Sequence, residues 1–215
     1  MTAKLFYFHD PMCSWCWGFA PTWSQLEGDL RNNLSNKLEI KYVLGGLAPD
    51  SDELMPSELQ ETLRGYWYKI RDLLGTEFNF NFWTQCRPRR STYPACRAVI
   101  AASNQNQEKA MIKALQEAYY LRALNPSDTE THLRLAEELC LDTKQFNHDL
   151  CSKETESRLK KDIQTYRELS SKGFPSLVLQ VENNHYSIPV DYQRYSVMSE
   201  AIKEIISSKL TRNAQ

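Results

Sequence analysis

Apolar residues follow two rhythms along this chain, and the change from one to the other divides it into three stretches. Residues 4 to 8, Lys-Leu-Phe-Tyr-Phe, form a short apolar run ended by His9-Asp10-Pro11, which predicts a buried strand. Cys16, Phe19, Trp23, Leu26, Leu30 and Leu34 then recur at steps of three and four, the spacing of one helix face. Cys13, one turn before Cys16, starts that helix. Pro21 falls inside the pattern and predicts a kink or a restart. A second strand alternates from Leu38 to Leu44 and is broken by Gly45-Gly46.

From Pro49 to Lys172 the periodic segments are helical. Ser57 with Gln60 has the form of a capping box, ahead of Leu59, Leu63, Tyr66, Ile70 and Leu74, with Gly75 as the stop. Residues 78–83 alternate like a strand within helical surroundings and fit an extended connection equally well. Further helices are expected at 93–105, opened by Pro94, and at 107–123, 128–140, 143–151 and 153–172, the last closed by Gly173. Strands return at 174–181, with Pro175 near the first position, and at 185–190 beyond an Asn183-Asn184 turn. A final helix carries Val197, Ala201, Ile205 and Ile206, followed by a polar tail expected to fray. The residues therefore predict an α/β chain: a strand-helix-strand unit, a large helical interruption, and a strand-strand-helix unit.

Composition narrows the function classes. The 215 residues, 41% hydrophobic and 25% charged, suffice for a proper core. A net charge of -1 argues against a nucleic-acid or anionic-membrane surface covering the whole molecule and leaves room only for local basic patches. The N-terminal apolar run is far too short for a secretory signal, which points to the reducing cytoplasm. Six cysteines are too sparse for a disulfide scaffold, and in that compartment a C-x-x-C pair points to catalysis or metal binding.

Cys13 and Cys16 are that pair. One helical turn brings their sulfurs to the same side, within reach of a disulfide. At a helix start, Cys13 faces the positive end of the backbone dipole, which favours a nucleophilic thiolate. Cys16, on the apolar face, is expected to remain a thiol until it attacks a mixed disulfide on Cys13. A zinc half-site would need two more ligands, and neither a second C-x-x-C nor a ligand spacing among His9, His132, His148 and His185 supplies them. No metal is therefore expected. Trp15, lodged between the cysteines and hard to bury, is a candidate substrate contact, whereas Trp17 reads equally well as core. His9 reads as a solvated loop residue, and Cys96, Cys140 and Cys151 as small core residues on helices. Cys86 precedes the basic run Arg87-Pro88-Arg89-Arg90, which fits a solvated loop or a site attracting acidic substrates or glutathione. Cys86 and Cys96 form a possible second redox pair if the loop brings them together.

Taken together, the strand Leu5–Phe8, the motif Asp10-Pro11-Met12-Cys13-Ser14-Trp15-Cys16-Trp17-Gly18-Phe19, Gly45-Gly46-Leu47, Pro94-Ala95-Cys96-Arg97-Ala98 and the late Gly173-Phe174-Pro175-Ser176 resemble the DsbA-like thioredoxin-fold proteins. More narrowly, they resemble the cytoplasmic FrnE-like branch, described as disulfide isomerases. The resemblance implies a thioredoxin fold (β-α-β … β-β-α) with a large all-helical insertion, here residues 1–48 and 173–215 interrupted by 49–172. It also implies a cis peptide bond at Pro175 beside the C-x-x-C, with Phe174 offering its backbone to a bound substrate. The activity implied is that of a thiol-disulfide oxidoreductase or isomerase, using no cofactor beyond the Cys13–Cys16 disulfide, with glutathione as a candidate co-substrate. Its partners would be protein or small-molecule disulfides and a cellular reductant. The same fold family holds kappa-class transferases and hydroxychromene-carboxylate isomerases, but those use a serine at the first active-site position. The chain departs from the periplasmic oxidants in having Ser14-Trp15 where they have Pro-His, so a more reducing couple is expected.

Overall fold

The computed structural model describes residues 3–170 and 173–212, with side chains up to residue 208. Four strands, β1 (Ala3–His9), β2 (Leu38–Leu44), β3 (Ser176–Val181) and β4 (Asn184–Ile188), form one sheet in the order β2-β1-β3-β4. β1 and β2 are parallel and joined through α1 (Ser14–Leu34), as a parallel pair requires. β3 runs antiparallel to β1 and β4 antiparallel to β3, with Phe8 opposite Ser176 and Leu177 opposite Ile188. Seven helices lie between β2 and β3 in the chain: α2 (Ser57–Leu74), α3 (Phe82–Gln85), α4 (Tyr93–Ser103), α5 (Glu108–Tyr120), α6 (Thr129–Glu138), α7 (Thr143–Leu150) and α8 (Lys153–Leu169). With α9 (Tyr195–Arg212) closing the chain, this is the mixed α/β thioredoxin fold with a helical insertion that the motifs imply.

Alternation along β1 decides the layers. Leu5 and Tyr7 point to one face, where Phe19, Trp23 and Leu26 of α1 and Met198, Ile202 and Ile206 of α9 cover them. Phe8, Val43 and Val178 point to the other, beneath Tyr166 and Leu169 of α8 and Phe174. Each large side chain fully buried this way contributes roughly 1.5–3 kcal/mol. The helical middle has its own apolar cluster around Trp67, Phe82, Met111, Leu115 and Tyr120.

Several local expectations change. α1 is not restarted at Pro21 but runs unbroken through it. Burial of Phe19 and Trp23 on either side outweighs the one backbone hydrogen bond that proline cannot donate. The Ser57/Gln60 capping box does not form, because Pro56 is the N-cap and Ser57 is already helical. Gln60 Nε2 instead donates to the Met55 carbonyl at 2.7 Å. Residues 78–83 form no strand; the chain turns at Phe80-Asn81 and enters α3. The hairpin turn falls one residue earlier than expected, at Glu182-Asn183, with Glu182 left-handed at φ 57°. α8 ends on Ser170 as its C-cap, not on Gly173; residues 171 and 172 lie outside the described residues, as do 213–215 of the expected tail. The buried face of α9 is Met198, Ile202 and Ile206, at steps of four, while Val197 is 46% exposed.

Candidate active site

β1 delivers the chain to a tight turn in which Cys13 N–H donates to the Asp10 carbonyl at 3.0 Å. Cys13 is the N-cap of α1, extended at φ −83° and ψ 115°, and its carbonyl accepts from Trp17 N–H. Cys16 lies one turn in and is completely buried, while Cys13 is 7% exposed, more recessed than its position at the helix start suggests. Both are thiols in this structure. Burial pushes the Cys16 thiol well above its ordinary range, and a hydrogen bond with Cys13 pushes it further.

Cys13 Sγ donates to the Phe174 carbonyl oxygen at 3.6 Å. The Phe174–Pro175 peptide bond is cis, so the loop entering β3 stands directly against the start of α1. Pro175 is buried, and the half-buried Phe174 ring rests on Tyr166 with centroids 4.4 Å apart. Gly45 makes room for that ring: a Cβ there would lie 1.8 Å from Phe174 Cε1. Trp15 is half-buried, edge-on to Tyr192 at 5.4 Å, with Lys69 Nζ 6.0 Å from its ring centroid. Cys13, Trp15 and Phe174 line a cavity of about 250 Å³ closed by Trp67, Tyr119 and Arg90. Trp17 faces away, stacked on Tyr120 at 5.7 Å and donating from Nε1 to the Glu77 carbonyl at 3.0 Å, so its part is to join α1 to the helical middle.

The residue that sequence reasoning left without a role is Asp10. It is completely buried. Its Oδ1 accepts from Met12 N–H at 2.8 Å, and its Oδ2 from Leu47 N–H and Thr92 Oγ1, both at 2.7 Å, with Cys96 Sγ at 3.6 Å. One carboxylate thus joins the end of β1, the turn carrying Cys13, the loop after β2 and the start of α4. Burial raises its pKa, partly offset by those hydrogen bonds. An acidic residue set directly between a buried strand and a C-x-x-C was the available signal.

His9 is not a solvated loop residue. β1 extends through it, leaving it 1% exposed with its ring stacked on Tyr7, and Nε2 has no hydrogen-bond partner among the described residues. Desolvation lowers its pKa to about 3. Cys140 and Cys151 are exposed, because each lies at or beyond a helix end, Cys140 left-handed after α6 and Cys151 as the C-cap of α7. Cys96 is buried, as expected. Cys86 Sγ donates to the Ala123 carbonyl at 3.0 Å and Cys96 Sγ to Asp10, so the two thiols are engaged with different partners. Among the described residues no group of three or more His, Cys, Asp or Glu is disposed to hold a metal ion. No helix among them is long and apolar enough to cross a membrane.

A thioredoxin sheet with a dithiol opening its first helix and a cis-proline loop against it defines the thiol-disulfide oxidoreductase fold of DsbA-like proteins. The chain belongs to the thioredoxin family Thioredoxin_5, whose model matches residues 6–200. It is similar to the ClpXP adapter protein SpxH of Halalkalibacterium halodurans, 26% identical over 84% of this chain, and spans 59% of that relative's length. Among solved structures, one of a Nitrosomonas europaea protein proposed to be a protein disulfide isomerase superposes with a TM-score of 0.81 at 26% identity, covering 97% of this chain and 99% of the other. The cytosolic disulfide reductase DsbM of Pseudomonas aeruginosa, also solved with GSH, has the same fold, with a TM-score of 0.72 at 20% identity over 97% and 98% of the two chains.

Proposed function

We propose that this protein is a cytoplasmic thiol-disulfide oxidoreductase that reduces or isomerises disulfides, with Cys13 as the nucleophile and Cys16 as the resolving thiol. The reading rests on one relationship: Cys13 Sγ faces both an aromatic-walled cavity and the Phe174 carbonyl of the cis-proline loop, while Cys16 is sealed behind it. A substrate sulfur can reach only Cys13. Its thiolate breaks the substrate S–S bond, forms a mixed disulfide and releases one thiolate. Cys16, on losing its proton, attacks Cys13 Sγ, closes the Cys13–Cys16 disulfide and releases the second thiol. Phe174 and Pro175 hold the substrate backbone against the dithiol, and Trp15 walls the groove. A cellular thiol or dithiol, glutathione among the candidates, then restores the reduced pair.

The test is trapping: Cys16→Ser accumulates covalent adducts on residue 13, and Cys13→Ser removes both adducts and disulfide-reductase activity. Full activity in Cys13→Ser would end this reading. A second reading, favoured by sequence similarity to SpxH over most of the chain, is an adapter for a ClpXP-type protease. Association with such a protease that survives the double Cys13→Ser, Cys16→Ser substitution would support the adapter reading. A glutathione-dependent isomerase or transferase is disfavoured because Cys13 stands at the first active-site position, where such enzymes use serine, and Cys16 completes a C-x-x-C that they lack; conjugating activity that survives Cys13→Ala would restore it.

A further inference from the structure

The basic run after Cys86 separates in the fold into three different arginines. Arg87 is exposed, and Arg89 is engaged by Asp128 at 2.5 Å and the Ser127 carbonyl at 3.0 Å. Arg90 is half-buried and forms part of the wall of the Cys13 cavity, beside Tyr119 and Trp67. Among the described residues no carboxylate lies within ion-pair distance of it, whereas twelve other arginines and lysines are so paired. A half-buried guanidinium on the wall of an aromatic-lined cavity, without a counter-charge of its own, is free to take up an anion that enters, and its planar fork matches a carboxylate.

Resting on the dithiol reading, we propose that the Cys13 cavity takes small disulfides whose non-reacting end carries a carboxylate, and that Arg90 binds that carboxylate. The volume, about 250 Å³, lies below the roughly 300–1,000 Å³ of pockets that hold drug-sized ligands, a size that fits one half of a small disulfide. Lys69 does not line the cavity, but its Nζ lies 6.0 Å from the centroid of the Trp15 ring that does, and it adds charge of the same sign nearby. The chemistry is that of the dithiol: Cys13 displaces one R–S⁻ from R–S–S–R, Cys16 displaces the other, and the two protons given up by the cysteines appear on two R–SH. Binding of the carboxylate by Arg90 aligns the disulfide for the first displacement.

The test uses the full chain, pre-reduced so that a single turnover needs no outside reductant. Stopped-flow rates of Cys13–Cys16 oxidation are measured with 3,3′-dithiodipropionate, which carries two carboxylates, and with 2-hydroxyethyl disulfide, a neutral compound of similar length. Arg90→Met is expected to lower the ratio of the dianionic to the neutral rate constant by about tenfold, the scale of one lost charge-assisted pair, and Arg90→Lys to restore part of it. An unchanged ratio overturns the proposal, including the case where both rates fall together because Arg90 only supports the fold. An equal fall with an acidic protein disulfide such as insulin overturns the small-molecule assignment. If neither disulfide oxidises the native pair, the dithiol reading itself fails and this proposal fails with it.

Discussion

Thr92 Oγ1 donates a hydrogen bond to Asp10 Oδ2 at 2.7 Å, across a sequence separation of 82 residues. The same hydroxyl accepts from Ala48 N–H at 3.1 Å, so the N-cap of α4, the loop after β2 and the turn that presents Cys13 share one buried polar centre. Every donor in it relies on a single carboxylate or on the hydroxyl bound to it, which makes the active-site scaffold sensitive to either residue.

Asp10→Ala is therefore expected to destabilise the protein by about 2–4 kcal/mol, because Met12 N–H and Leu47 N–H lose their acceptor in a buried site and the Thr92 hydroxyl keeps only the longer contact to the Ala48 carbonyl at 3.3 Å. Thr92→Val alone should cost roughly 1–2 kcal/mol, and much less once Asp10 is gone. Urea denaturation of the two single variants and the double variant measures the coupling; additive losses would show that the residues act independently.

Gly45→Ala tests the contact between the loop after β2 and the cis-proline loop. A methyl group there overlaps the Phe174 ring, with 1.8 and 1.9 Å to Cε1 and Cζ, so the ring must move. The expected cost is about 1–3 kcal/mol, with a slower reaction of Cys13 because Phe174 also supplies the carbonyl beside its sulfur. In a Phe174→Ala background the same methyl should cost almost nothing. Thermal denaturation with iodoacetamide labelling of Cys13 reads both effects.

Much of this architecture was legible in the sequence, for reasons visible in particular residues. β1, β2 and α1 declare themselves because their apolar positions are buried on opposing faces, and Leu5, Phe19 and Leu26 have no exposure at all. What misled was the ends of elements. His9 looked solvated because a polar residue closing an apolar run resembles a loop, yet its ring is packed by Tyr7 and Tyr42. Cys140 and Cys151 looked like core because their helices were read one or two residues too long. Asp10 went without a role because its partners, Leu47, Thr92 and Cys96, are distant in the chain, and no local pattern announces a centre assembled from four segments.

The redox couple is expected to lie nearer the thioredoxin and glutaredoxin values, about −270 to −200 mV, than the roughly −120 mV of a strong periplasmic oxidant. Ser14 and Trp15 are both uncharged, so the dipeptide between the cysteines offers no cation to stabilise the reduced form. Equilibration of Cys13–Cys16 against glutathione buffers, read by tryptophan fluorescence, gives the potential directly. A value near −120 mV would contradict the argument.

His9 supplies an acid-side dependence. Its pKa falls from 6.5 to about 3 in the fold because the ring is desolvated, so unfolding at acidic pH takes up a proton. The stabilisation is present above about pH 6.5 and is lost as pH falls toward 3. His9→Phe keeps the aromatic packing and removes the titration. Relative to the native chain it should gain about 2–3 kcal/mol between pH 7 and about pH 4.5; parallel stability curves would show that His9 is accessible to protons in the folded state.

Asp162 works in the opposite direction. It lies on α8 with Oδ2 accepting from Leu44 N–H at 3.2 Å, and burial raises its pKa from 3.8 to about 6. Arg158, Lys161 and the Leu44 hydrogen bond pull it down, while Glu108 adds to the rise. Because the folded-state pKa exceeds the unfolded one, the group favours folding most below about pH 4, and that contribution is lost as pH rises through 6. Asp162→Asn retains an acceptor for Leu44 N–H and carries no charge. Its stability relative to the native chain should therefore rise with pH, by about 1–2 kcal/mol between pH 4 and 7.5 after allowance for partial solvent screening. Since His9 and Asp162 pull in opposite directions across the same interval, the double variant should have a flatter pH–stability profile between 4 and 6.5 than either single variant, and chemical denaturation across that interval measures it.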